Sequence, residues 1–252
     1  MKKLLFTVGV CFSLMIYPLQ AQVRGSHEVV LGSLQLKDGN NLGMVFSGAQ
    51  LEYRYGVHRK INVHELQYQP ELGLGTVWNR SMNGIYIHFA PVNVTWTMPF
   101  DENNGHTIRG GANFMTGYNY QLTQLHDGTV FYTAEIGISP VIQYGYQWDK
   151  KRLDVRLQNS IVGFSSHRQG YDPYNFLFTY KEFVVYPHSD LKFGSLNRFN
   201  HTKVSFEFIP NRTKKHAIVY EFDYLGFYQG VRFHRFSHNL IGRIVLCGKK
   251  VQ

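Results

Sequence analysis

From Val130 to Trp148 the chain alternates strictly. Every even position is apolar: Val130, Tyr132, Ala134, Ile136, Ile138, Pro140, Ile142, Tyr144, Tyr146 and Trp148. The odd positions are mostly small or polar, among them Thr133, Glu135, Gly137, Ser139, Gln143 and Gln147. Successive side chains of a strand point to opposite faces, so this is one long strand with a greasy face and a polar face. A helix would scatter the same residues around its whole circumference.

The pattern recurs along the chain. Ala49, Leu51, Tyr53 and Tyr55 oppose Gln50, Glu52 and Arg54; Leu66, Tyr68, Leu72, Leu74 and Trp78 oppose Glu65, Gln67, Gln69 and Glu71. Ile218, Tyr220, Phe222 and Tyr224 oppose Glu221 and Asp223. His126-Asp127-Gly128 reads as a hairpin connection. Eleven strands are expected, at 28–36, 42–57, 61–78, 84–98, 106–122, 129–148, 152–164, 175–187, 202–210, 216–229 and 231–246, with a twelfth in 190–197. Nothing reads as a long amphipathic helix or as a linker between domains.

Residues 1–21 have the layout of a secretory signal peptide. Lys2 and Lys3 precede an apolar run from Leu4 to Tyr17, and Ala21 offers a small residue for cleavage. Residues 22–252 then form a single domain. Val10 before Cys11 does not suit a lipidation site. After cleavage only Cys247 remains, so no intramolecular disulfide can form. The 17 Tyr and 19 Phe, against 17% charged residues, exclude a disordered chain.

A sandwich or a soluble cup would also alternate, with its apolar face inward. Strand length separates the cases, because several segments run 13–20 residues where soluble strands average about 5–6. Tyr132 and Tyr144 lie about 28 Å apart along the normal of a strand tilted ~45°, close to the ~25 Å apolar band of a membrane barrel. The polar face carries Glu52, Arg54, Glu65, Glu71, Arg109, Glu135, Asp154, Arg156, Lys203, Glu207, Glu221, Asp223, Arg235 and Arg243. Eight acids and six bases nearly balance, as an enclosed network requires. The excess of the +9 formal charge falls in turns and tails, such as Arg59, Lys60, Lys150, Lys151, Lys249 and Lys250.

In these features the whole chain after the leader resembles the outer-membrane β-barrel proteins of Gram-negative bacteria. The resemblance implies an all-β, antiparallel transmembrane barrel with an even strand number, about 12 with 10 as the alternative. It also implies export to the bacterial outer membrane, contact with its lipid, and anionic headgroups at the basic rims. The sequence leaves open which hairpin ends face outward.

Chemistry is sparse. Lipid-hydrolysing barrels resemble one another in a His-x-Ser pair on one strand face, and none of the twelve His here has Ser two residues later. The remaining catalytic candidates are Ser237 with Asn239 on one polar face, and Ser166 with His167 in an irregular segment at 164–174 beside Asp172. No His/Cys spacing suits a metal, no glycine-rich phosphate loop is present, and no cofactor or nucleic acid is expected. The residues favour a non-enzymatic barrel, either a structural or surface-interaction protein or a narrow pore. The alternatives are a hydrolase or acyltransferase acting on phospholipid or lipid A, and a soluble periplasmic β-cup that carries a ligand.

Overall fold

The computed structural model describes residues 22–39, 43–123, 129–171, 188, 191–196, 198–211, 216–228 and 232–246. They form thirteen strands: β1 (Gln22–Asp38), β2 (Met44–Ile61), β3 (His64–Tyr68), β4 (Glu71–Trp78), β5 (Asn83–Asn103), β6 (His106–Thr123), β7 (Thr129–Trp148), β8 (Lys151–Asn159), β9 (Val162–Tyr171), β10 (Lys192–Ser195), β11 (Phe199–Ile209), β12 (His216–Phe227) and β13 (Phe233–Leu246). All pairings are antiparallel, and β1 pairs with both β2 and β13, which closes the sheet on itself. Closure removes the open edge that no strand can carry into a bilayer.

Thirteen strands occupy ten positions round the ring. Strands β3 and β4 both lie between β2 and β5, one beyond the other. Strands β8 and β9 share a position against β7, and β10 and β11 share the next, against β9 and β8. Prolines explain the first interruption. Pro70 separates β3 from β4 and has no N–H to give to the ladder. Across from it, the β5–β6 register shifts by a bulge between Phe89 and Val92, where Pro91 stands.

Among the described residues the ring therefore has ten strand positions, the lower of the two numbers expected, and four expected segments are corrected, 152–164 being broken between Asn159 and Val162. The 61–78 segment is broken. The 190–197 segment contributes β10 to a position that β11 completes. Strand β9 runs to Tyr171, so Ser166 and His167 belong to a strand and not to an irregular segment. The expected strand at 175–187, the turn at 126–128, Asp172 and the leader 1–21 lie outside the described residues.

The connections fall at two rims. Two-residue turns at Asn62-Val63, Asn104-Gly105 and Asp149-Lys150 share the rim that holds Gln22 and Leu246. Asn62, Asn104, Gly105 and Asp149 all adopt positive φ (54°, 47°, 84° and 50°), which tight hairpins demand and which Asn, Asp and Gly tolerate. The opposite rim carries the connections at 39–43, 79–82 and 228–232, while the 210–215 connection between β11 and β12 falls on the rim of the two-residue turns.

The outer wall is apolar and open. Leu31 is 61% exposed, and Leu51, Leu72, Leu74, Ile85, Ile138, Ile142, Ile218 and Leu240 are exposed with it. A continuous apolar band of this kind is not a surface that water tolerates. Aromatic residues and His meet near both rims: His106 with Tyr146 (ring centroids 4.6 Å apart) and His64 with Trp96 (5.6 Å) on the short-turn side, Tyr118 with His188 (5.4 Å) and Tyr224 with His234 (6.2 Å) on the other.

Candidate functional site

The interior has two tiers. The tier nearer the termini is ionic and begins with Arg54 on β2. Its Nη1 and Nη2 donate to Glu221 of β12 at 3.1 and 2.8 Å, and its Nε donates to Glu52. Glu71 lies 3.9 Å from the same Nε and also meets Lys203 Nζ at 3.4 Å, His88 Nε2 at 3.4 Å and Asn93 Nδ2 at 2.6 Å.

A second centre surrounds Asp223. Arg235 Nη2 donates to both of its oxygens at 3.0 Å, His201 Nε2 lies 3.1 Å away and Lys203 Nζ 3.6 Å away. The other nitrogen of His201 meets Glu135 at 2.9 Å. Arg235 Nη1 continues the network to Asn119 at 2.7 Å and to the Tyr86 hydroxyl at 2.9 Å. Toward the short-turn rim stand three further pairings: Arg243 with Glu28 and Glu207 (2.5 Å each), Arg152 with Asp154 (2.7 Å) and Arg109 with Glu65 (2.9 Å). Arg156 hydrogen-bonds Thr95 Oγ1 at 2.8 Å, Gln158 at 3.3 Å and Gln67 at 3.4 Å.

The physical reason is that these charges have one acceptable face. A carboxylate or guanidinium on the outer wall would meet hydrocarbon, which has no partner for it. Inside, Arg54, Arg109, Lys203, Arg235 and Arg243 each meet an acid projected from another strand, and the amides of Gln50, Asn113, Asn239 and Gln158 fill further hydrogen-bonding positions.

The second tier lies toward the long-connection rim and is apolar. Leu34, Leu36, Phe46, Val77, Phe199, Leu225, Phe227 and Phe233 pack with Tyr86 in one buried cluster. They project from the same strand faces as the ionic groups: Phe199 precedes His201 and Lys203, and Leu225 and Phe227 follow Glu221 and Asp223. Phe227 stacks on Phe199 at 5.7 Å and on Phe233 at 5.6 Å. The sequence reading missed this tier, although β1 carries a signal for it. Past Gly32 its two faces exchange character, with Leu34 and Leu36 buried and Ser33, Gln35 and Lys37 exposed.

Two small cavities remain between these groups. One of about 50 Å³ is lined by Arg54, Gln69, Glu71, Arg156, Lys203 and Arg243, among others. One of about 10 Å³ lies in the upper tier beside Leu36, Asp38, Gln121 and Phe233.

The catalytic candidates do not assemble a hydrolytic site. Ser237 and Asn239 share the interior face and are buried, and Asn239 Nδ2 lies 3.4 Å from Ser237 Oγ and 3.3 Å from Glu221. Among the described residues no imidazole is paired with that serine. Ser166 and His167 are consecutive on β9 and diverge. His167 turns inward, with its Nε2 3.0 Å from Asp38 Oδ2, while Ser166 stands opposite Ala134 with its Oγ buried. Glu52, Glu71 and His88 bring ligand atoms within 4.8 Å of one another. That grouping already meets positive charge, since Arg54 contacts both carboxylates and Lys203 contacts Glu71. Glu28, His88, Asn119 and His201 also belong to the network and were not singled out in the sequence. Glu28, Asn119 and His201 carried a signal, because Arg24, Gln121 and Lys203 stand two or four residues away in the strand alternation, whereas His88 has no charged or amide residue at those spacings.

No protein-family model matches the chain, and no curated protein matches it in sequence. Solved structures do match. The outer membrane protease OmpT from Escherichia coli superposes with a TM-score of 0.51 at 6% identity, over 90% of this chain and 96% of that one. The translocator domain of the autotransporter NalP from Neisseria meningitidis gives 0.49 at 8% identity, over 94% and 92%. At such identities the likeness is one of fold alone. The closed ring of ten strand positions, the exposed apolar wall and the likeness to OmpT together give the chain the fold of the Gram-negative outer-membrane β-barrels.

Proposed function

We propose that the protein is an integral outer-membrane barrel without enzymatic activity, built as a closed scaffold for structural or surface-interaction roles and not as a pore. The observation that carries this reading is the filled interior. A ring of ten strands has a slender lumen. Here it holds a cross-linked ionic tier and, above it, an apolar tier with Phe199, Phe227 and Phe233 stacked across it. The cavity of about 50 Å³ has room for roughly three or four waters.

Short turns belong on the periplasmic side of bacterial barrels and long loops outside. This orientation puts the apolar tier outward and leaves the ionic tier nearer the periplasm. Lys60, Lys150 and Lys151 then lie at the periplasmic headgroup level, where anionic lipid would meet them. Residues 1–21 act in this reading as the cleaved export signal.

Single-channel recording of purified protein in planar bilayers tests the proposal. A bilayer that stays silent after insertion is expected. Stable, large conductance steps would refute the closed scaffold. Membrane fractionation and mass spectrometry of the mature N-terminus test the location and the cleavage after Ala21.

A further inference from the structure

Arg156 differs from the other interior cations. Arg54, Lys203, Arg235 and Arg243 each pair with at least one carboxylate. Among the described residues Arg156 pairs with none, and its three hydrogen bonds all go to neutral oxygens, those of Gln67, Thr95 and Gln158. A guanidinium has five N–H donors, so two remain unused. Arg156 is half-buried, and a positive charge partly withdrawn from water is costly unless something compensates it.

A second group in the same cavity wall is also short of a partner. Gln67 Nε2 donates to Gln69 Oε1 at 3.1 Å, which orients the Gln69 amide. Its Nε2 is then left buried with no acceptor, on a residue only 8% exposed. Arg156 and Gln69 therefore present unused donors to one cavity of about 50 Å³, with Lys203 and Arg54 in the same wall. The cavity also touches Glu28, Glu71 and Glu221, but salt bridges from Arg243, Lys203 and Arg54 hold those acids.

We propose that this cavity is a binding site for one small monovalent anion of halide size, held by Arg156 and the Gln69 amide. Arg156 lacks a directly paired carboxylate, and one monovalent anion would supply that pairing. The volume admits a halide with a water or two. The site would be loaded from the short-turn rim, because the apolar tier closes the other end. The bound ion completes the ionic tier and locks β8 to β3 across the lumen.

The test uses folded protein in detergent, equilibrated in sodium gluconate and titrated with sodium bromide at constant ionic strength. The unfolding midpoint of the wild type is expected to rise saturably by about 2–4 °C. Arg156→Gln, which removes the charge to be compensated, is expected to lose that rise. Crystals grown in bromide should show an anomalous peak within hydrogen-bonding distance of Arg156. A wild-type midpoint indifferent to bromide, or an Arg156→Gln midpoint that still follows it, would overturn the site. If Arg156→Gln does not fold, the anomalous map of the wild type decides, and a lumen without a peak at Arg156 rejects the proposal.

Discussion

Arg54 on β2 and Glu221 on β12 form a two-pronged salt bridge, 2.8 and 3.1 Å long, between strands that are not neighbours in the ring. Strands β1 and β13 stand between them. The bridge is therefore a strut across the lumen, independent of the backbone ladder. Arg54→Met would leave Glu221 and Glu52 buried without their main partner. A loss of about 3–5 kcal/mol is expected, because breaking one member of a buried pair strands the other charge. The double variant Arg54→Met/Glu221→Gln should lose less than the sum of its single changes, by about 0.5–3 kcal/mol. Urea unfolding in lipid vesicles, followed by gel mobility, measures both.

The apolar tier should behave as a packed core. Phe227 touches Phe199 and Phe233 and is 2% exposed. Phe227→Ala is expected to cost about 3–5 kcal/mol, the range for a large aromatic removed from a tight interior. Leu31→Ala, on the exposed wall, should cost far less. Equal losses at the two positions would deny that the tier is packed.

The outer wall makes a directional test. Leu240 is 56% exposed at the middle of β13, whereas Lys37 already stands outward near the end of β1. Leu240→Arg should destabilise the inserted barrel by about 2–4 kcal/mol, the cost of a cation at the bilayer midplane. Gln35→Arg, beside Lys37, should cost about 0–1 kcal/mol, as near an interface. Similar small effects at both sites in folding assays into vesicles would mean that the wall does not face lipid.

The Asn104-Gly105 turn is the tightest connection between two long strands. Gly105 has φ of 84°, and a Cβ there would meet Gln147 O at 2.6 Å. Gly105→Val should destabilise by about 1–3 kcal/mol, from backbone strain and the clash together. Asn104→Gly should be close to neutral. The same unfolding assay compares the two.

Much of this molecule was legible from local sequence. Period two in 130–148 needs only the fixed alternation of side chains along a strand, so β7 (Thr129–Trp148) emerges almost residue for residue. The separation of Glu221 and Asp223 from Tyr220 and Phe222 is equally local. Ser166 and His167 were harder. Their stretch lacks a clear apolar alternation, and only pairing with β7 makes it a strand.

Where the alternation is clear, strand identity and face belong to the sequence, because they depend on neighbours one and two residues away. Tertiary structure decided what depends on closure. It set ten positions instead of twelve, since β3 with β4, β8 with β9 and β10 with β11 each share one place once their partners are aligned. It chose which acid meets which base, since Arg54 and Glu221 are brought together only by the register of β1, β2, β12 and β13. It also turned Leu34, Leu36, Phe46 and Phe227 from scattered apolar residues into one buried cluster, because only a closed ring gives their common face an inside.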